Sequence, residues 1–323
     1  MSFERELERF GPDAGAVTPS PSEAEAYTKR LATSHYENFP VLSVFVPKGL
    51  RQDFANIYAY CRWSDDLADE VGDRDRSLRL LDWWQAELEA CYLGAPRHPV
   101  MVALSRTIEE FSIPRDPFVD LLGAFRRDQR QQRYATFEEL RDYCRGSADP
   151  VGRLVLYLCR AFREETAALS DSVCTGLQLA NFWQDVAIDI DKGRIYLPEE
   201  DRERFGVGES EIRDREFSDR FAALMAFEVE RAEDWLRRGL PVADFLPTRL
   251  GIVVGGFARG GLAILRKVRG IGYNVLERRP KVTKWDLAGV LCRSVGSRVW
   301  RPARQPSDST LGTMTCPSGS HDS

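Results

Sequence analysis

Residues 176–201 read GLQLANFWQDVAIDIDKGRIYLPEED. Gln178, Asn181, Asp185 and Asp189 recur at spacings of three, four and four, so a helix carries them on one stripe. The residues around that stripe are apolar: Leu177, Leu179, Phe182, Trp183, Val186 and Ile188. Solvated charge runs do not keep such company. The stretch is read as a helix inside a bundle, with its polar stripe turned towards a cavity.

Helical periodicity extends outward from this stretch, from about residue 23 to residue 299, and alternating strand-type runs are almost lacking. Helices are expected near 23–33, 50–70, 75–92, 98–111, 115–131, 136–147, 150–168, 172–190, 209–238, 249–277 and 284–297, between breaks at residues such as Pro47, Gly72, Gly94, Pro114 and Pro198. The fold class is therefore all-α. No polar linker or repeat divides the chain, so one helical domain over 23–300 is expected, between a flexible segment over 1–22 and a disordered tail over 301–323 rich in Ser, Thr, Gly and Pro.

A second acidic cluster lies upstream. Residues 58–70, beginning Tyr58 and containing CRWSDDLADE over 61–70, place Asp65 and Asp69 four apart on one helical face, with Asp66 and Glu70 beside them. Like charges at that spacing cost a few tenths of a kcal/mol. Their place at a helix C-terminus is unfavourable for the macrodipole as well. A cation relieves both. Oxygen-only ligands suit Mg²⁺, which takes one or two carboxylates and completes its shell with water and phosphate oxygens. One such pair also arises on an ordinary solvated face. Two facing pairs could hold Mg²⁺ against a diphosphate and help it leave, with no protein nucleophile.

Composition narrows the classes. At 323 residues and 43% hydrophobic content, the chain can bury a sizeable core. Its 45 basic and 50 acidic residues give a net charge of -5, against a nucleic-acid-binding surface. Seven cysteines, an odd number without a CxxC pair, suit a reduced cytoplasmic protein. Three histidines, His35, His98 and His321, leave no room for a histidine-rich metal site. Residues 1–14 are charged, and no stretch reads as the roughly 20 apolar residues that span a bilayer. A soluble, cytoplasmic protein is expected, with peripheral membrane contact or neighbouring pathway enzymes as further partners.

Taken together, CRWSDDLADE and GLQLANFWQDVAIDIDKGRIYLPEED resemble the two aspartate-rich signatures of the squalene/phytoene synthase family, and the likeness runs through most of residues 30–285. The resemblance implies a single isoprenoid synthase helical domain with a central cavity, a prenyl diphosphate substrate and Mg²⁺. Asp65, Asp69, Asp185 and Asp189 match the magnesium-binding aspartates, with Asp66 in the same signature. It further implies that Arg62, Arg194, Tyr196, Gln178 and Asn181 lie near the diphosphates. Cations such as Arg62 and Arg194 suit bidentate pyrophosphate contacts.

His35 and Asn38, within HYENFP over 35–40, fall in the family's N-terminal signature in a form similar to the hydroxysqualene synthases. Gln184 stands where phytoene- and presqualene-forming relatives carry Arg. Tyr58 and Tyr143 are further substrate-binding candidates, Tyr143 heading a YCRGSADPVG stretch over 143–152 that resembles the same branch. The resemblance thus implies a lyase-like ionisation of presqualene diphosphate and capture of the cation by water to give hydroxysqualene. Phe39, Phe182 and Trp183 are candidate cavity-lining aromatics. Head-to-head condensation of two prenyl diphosphates, to presqualene diphosphate or phytoene, is the alternative reaction. A noncatalytic relative acting as an assembly protein is the alternative of another class, against which all four motif aspartates stand. NADPH is not expected: Gly255-Gly256 and Gly260-Gly261 sit in a helical context without the preceding strand of a dinucleotide fingerprint.

Overall fold

A computed structural model describes residues 3–15, 17–34 and 46–281. His35, Asn38 and Phe39, the helix expected over 284–297 and the tail over 301–323 lie outside the described residues. Among the described residues every regular element is helical. The helices are α1 (Phe3–Phe10), α2 (Pro21–Ser34), α3 (Arg51–Asp69), α4 (Arg74–Tyr92), α5 (Pro99–Phe111), α6 (Asp116–Asp128), α7 (Phe137–Ser147), α8 (Asp149–Leu158), α9 (Glu164–Asp191), α10 (Glu199–Phe205), α11 (Glu209–Arg213), α12 (Asp219–Gly239) and α13 (Thr248–Gly270).

Two buried clusters organise them. The first half of the chain packs around α3, whose Tyr60 and Trp63 stack with Trp84 of α4 while Phe118 of α6 meets Tyr60 edge-on. The second half packs around the 28-residue α9, which lies against α8, α12 and α13. The two acidic motifs thus end the central helix of each half.

Where α9 crosses α12, glycine lets the backbones meet. A Cβ on Gly239 would lie 2.6 Å from both the Leu169 carbonyl oxygen and the Val173 nitrogen, and one on Gly176 would lie 2.8 Å from the Leu236 nitrogen. Backbone cannot move aside as a side-chain tip can. Gly239→Ala is therefore expected to lower stability by about 1–3 kcal/mol. Gly256→Ala, mid-helix with nothing within 4 Å of the added methyl, should instead gain up to about 1 kcal/mol. Urea unfolding of the two variants checks both signs.

Several elements depart from the sequence-based expectation. The segment over 1–22, expected to be flexible, contains α1, which docks through a face made by Phe3, Leu7 and Phe10. Phe3 meets Trp63 edge-on at 5.2 Å, and the Tyr27 hydroxyl donates to the Glu6 carboxylate at 2.7 Å. The helix expected over 150–168 stops at Leu158, because Arg160 takes a left-handed backbone (φ 51°) and a new helix begins where the Thr166 hydroxyl accepts from the Arg163 N–H. The helix expected over 209–238 is likewise divided at Arg215 (φ 57°), and Ser218 caps its second part through the Phe221 N–H. Finally, the 23-residue α13 is long and apolar enough, by length and composition, to cross a bilayer, with a mean hydropathy of 1.3 over an 18-residue window, although no such stretch was read from the sequence.

Candidate active site

An apolar cavity of about 360 Å³ lies between α3, α8, α9 and α13. From α3 it receives Phe54, Ile57, Tyr58 and Cys61. On the same helical stripe, at steps of four, the next residues are Asp65 and Asp69. From α9 it receives Ser170, Val173, Cys174 and Leu177. There the same stripe continues, again at steps of four, through Asn181 to Asp185 and Asp189. The acidic pairs therefore stand beyond an apolar chamber on the helix faces that line it, one and two turns on for Asp65 and Asp69 and about two and three turns on for Asp185 and Asp189. Such a site has one polar pole and one hydrocarbon-accepting body.

The polar pole is knitted by arginines. Arg62 donates from Nε to Asp66 at 2.9 Å, pairs with the same carboxylate through Nη2, and lies 3.8 Å from Asp65. Asp66 is thereby buried and engaged, whereas the Asp65 side chain is 49% exposed. Beyond α9, Gly193 takes φ 76° and turns the chain back, so that the Arg194 N–H donates to the Asp189 carbonyl at 2.8 Å. Its guanidinium then reaches Asp69 at 3.4 Å. Arg194 thus joins the end of one acidic motif to the end of the other, which brings the two motifs to one place.

The remaining sequence-derived candidates divide. Gln178 is half-buried and Asn181 exposed, on the stripe as expected. Tyr196 is stacked on Phe182 at 3.8 Å, and Tyr143 donates to Asp128 at 2.8 Å. Gln184 is buried and donates from Nε2 to the Pro280 carbonyl at 2.6 Å. Phe182 and Trp183 line a narrow crevice beside Asp189 and Arg194 instead of the apolar chamber. Their side chains leave α9 on another face from Cys174 and Leu177, so the aromatic wall of the chamber comes from Phe54, Tyr58 and Phe257.

Two residues at this pole were not anticipated. Arg279 forms a forked pair with Asp185, Nε at 2.5 Å and Nη2 at 3.0 Å. Asp128, at the end of α6, is the acceptor for Tyr143. Neither announces itself in sequence: Arg279 belongs to a basic turn 94 residues from its partner, and Asp128 to a charged run that reads as a solvated face.

Packing carboxylates together raises their proton affinity. Burial, then the Asp185 charge, push Asp189 up to about 7, with Arg194 among the charges opposing them. Burial and the Asp69 charge push Asp65 to about 6, a shift that its exposed side chain makes smaller in effect. Asp189 Oδ2 is shut off from solvent without a hydrogen-bond partner. A shielded, unpartnered oxygen on a carboxylate that resists ionisation fits a hard divalent cation. Among the described residues no three carboxylate, thiol or imidazole groups form a ready-made cage. Mg²⁺, which takes one or two carboxylates and leaves other positions to water and phosphate, does not require one.

These shifts fix a sign for pH. In the unfolded chain Asp189 releases its proton near 3.8, and in the fold near 7. Between those values the folded state holds more protons, so this group's contribution to stability falls as pH rises through the window. The metal-free protein should lose stability from pH 5 to pH 8 on this account. Mg²⁺ with inorganic diphosphate should raise the melting temperature more at pH 8 than at pH 5, which thermal melts at the two pH values check.

Comparisons with known proteins bear on the same residues. A family model described as squalene/phytoene synthase matches residues 32–286. The 15-cis-phytoene synthase of Synechocystis sp. is 32% identical over 234 residues, covering 68% of this chain and 69% of that protein. The phytoene synthase of Thermus thermophilus is 30% identical over 263 residues, covering 81% and 89%. Among solved structures, the squalene synthase HpnC of Alicyclobacillus acidocaldarius superposes with a TM-score of 0.76 at 44% identity, over 79% of this chain and 96% of that one. A dehydrosqualene synthase in complex with ligand superposes with a TM-score of 0.78 over 86% and 97%, and at 24% identity shares the fold.

Proposed function

Because the chain belongs to the squalene/phytoene synthase family, we propose that it ionises presqualene diphosphate and captures the cation with water, releasing hydroxysqualene and diphosphate. The observation that carries this reading is the continuity of both acidic stripes with one apolar chamber. Charge leaves at one end of such a site while a hydrocarbon cation is kept from bulk water at the other.

Each residue then has a task. Asp65, Asp69, Asp185 and Asp189 would hold Mg²⁺ together with the diphosphate oxygens. Bound there, the metal supplies positive charge that stabilises pyrophosphate as a leaving group. Arg62 and Arg194 offer forked donors to the same oxygens. Arg279 does likewise once Asp185 turns to the cation. Tyr58, Phe54 and Leu177 wall the hydrocarbon.

Two features support the hydroxysqualene branch over condensation. Gln184 is committed to the Pro280 carbonyl, so this position offers no fixed positive charge to a second diphosphate. The HYENFP form over 35–40 points the same way, and the 44%-identical structure, described as a squalene synthase, is consistent with squalene-type chemistry. Condensation of two prenyl diphosphates is the second reading, favoured by the 30–32% identity to phytoene synthases. Purified protein incubated with Mg²⁺ and presqualene diphosphate should yield hydroxysqualene by mass analysis, and none from farnesyl diphosphate alone. Presqualene diphosphate formed from farnesyl diphosphate, or phytoene from geranylgeranyl diphosphate, would establish the second reading instead.

A further inference from the structure

The first acidic motif occupies the least secure part of its helix. Asp65, Asp66, Asp69 and Glu70 crowd the end of α3, where the last carbonyls lack intrahelical partners and negative charge opposes the macrodipole. Arg62 engages Asp66 and Arg194 approaches Asp69, which offsets part of that charge. The opposite face of the helix end needs an anchor of its own.

Helix α1 supplies it. Trp63 stands two residues before Asp65, roughly 200° around α3, so its ring turns to the back of the acidic stripe. Phe3 of α1 meets that ring edge-on. The Trp63 indole N–H donates to the Tyr27 hydroxyl at 3.0 Å, and that hydroxyl donates onward to Glu6 of α1 at 2.7 Å. Trp63, Tyr27 and Glu6 are 1%, 4% and 8% exposed, so the relay runs out of reach of competing water. Beyond the motif, Glu4 of α1 pairs with Arg76 at 2.9 Å, in the first turn of α4 that Asp73 caps. Helix α1 thus holds the chain at residue 63 and again at residue 76, and the acidic turn lies between the two holds. The family model begins at residue 32, so this brace stands outside what it matches.

We propose that Glu6, acting through Tyr27 and Trp63, is a positioning residue that sets the first acidic motif for Mg²⁺, with Phe3 sharing the task. The inference rests on the reading that Asp65 and Asp69 hold the metal. A motif that keeps its binding arrangement only part of the time binds with an affinity reduced by that fraction. Bracing the turn from behind keeps the fraction high without touching the metal, the diphosphate or the chamber.

The test reads order and metal affinity separately. In metal-free Phe3→Ala/Glu6→Ala protein, amide hydrogen exchange over 64–70 should quicken by about tenfold or more, while exchange over 176–190 keeps its wild-type rate. The Mg²⁺ concentration for half-maximal turnover of presqualene diphosphate should rise by about threefold or more, with kcat at saturating Mg²⁺ close to wild type. Glu6→Gln keeps an acceptor for the Tyr27 hydroxyl and should stay near the wild-type Mg²⁺ dependence. A brace serving global stability alone would quicken exchange equally over both stretches and leave the Mg²⁺ dependence unchanged. An unchanged Mg²⁺ dependence in the folded variant overturns the proposal, whatever the exchange shows. If the double variant does not fold, as read by circular dichroism, Phe3→Ala alone decides by the same two measurements. Failure of the functional reading looks different: Mg²⁺ with inorganic diphosphate would then leave exchange over 64–70 unslowed in the wild-type protein.

Discussion

Asp185→Asn should lower turnover by about three orders of magnitude or more while leaving the helical content intact. The replacement keeps the shape of the side chain and removes its charge. Three decades correspond to about 4 kcal/mol of transition-state stabilisation, within the several kcal/mol that metal-assisted charge neutralisation supplies. The fold should tolerate the change because Asp185 lies on the cavity stripe and its recorded partner is the 41%-exposed Arg279. Asp65→Asn should behave alike, from the opposite helix. Product formation with Mg²⁺, beside far-ultraviolet circular dichroism, measures both effects. Near-normal product from either folded variant would remove the carboxylates from the mechanism.

The second large effect is expected at the other end of the site. Val155 of α8 lines the apolar chamber, with Cys174 and Leu177 of α9 and Val254 of α13 also in its wall. Val155→Trp would place an indole in a space of about 360 Å³ that has to admit a thirty-carbon chain. We expect kcat/KM for presqualene diphosphate to fall by at least tenfold, equivalent to about 1.4 kcal/mol or more. Magnesium-dependent release of diphosphate from a short prenyl diphosphate should survive, because the polar pole is untouched. Equal loss with both substrates would show that the chamber does not hold the hydrocarbon.

These two variants probe what was most and least legible in the sequence. The acidic stripes were legible because helical spacing alone puts Asp65 with Asp69, and Asp185 with Asp189, on single faces. The all-α fold followed from the same periodicity. That the two motifs meet was implied by family resemblance, and Arg194, close to both, gives the meeting a physical form. The chamber wall was hidden, since Phe182 and Trp183 are as apolar as Cys174 and Leu177, and which face of α9 is core depends on α12 and α13. Arg279 was hidden for a related reason. A basic residue in a polar turn gives no sign of the carboxylate that tertiary packing brings to it.

The helix breaks at Arg160 and Arg215 were missed because neither carries the Gly or Pro that normally marks a left-handed turn. Helix α1 was nearer to being readable. In FERELERF over 3–10, Phe3, Leu7 and Phe10 recur at spacings of four and three, an amphipathic signal submerged in charged neighbours.

The central claim, that α3 and α9 jointly grip divalent metal and diphosphate above one apolar chamber, is most directly tested by anomalous diffraction. Crystals of the protein grown with Mn²⁺ and an unreactive diphosphate analogue of presqualene should show metal peaks ligated by carboxylates of both 65–69 and 185–189, with the hydrocarbon running down past Tyr58 and Leu177. Metal bound away from these aspartates, or a hydrocarbon lying outside the chamber, would contradict it.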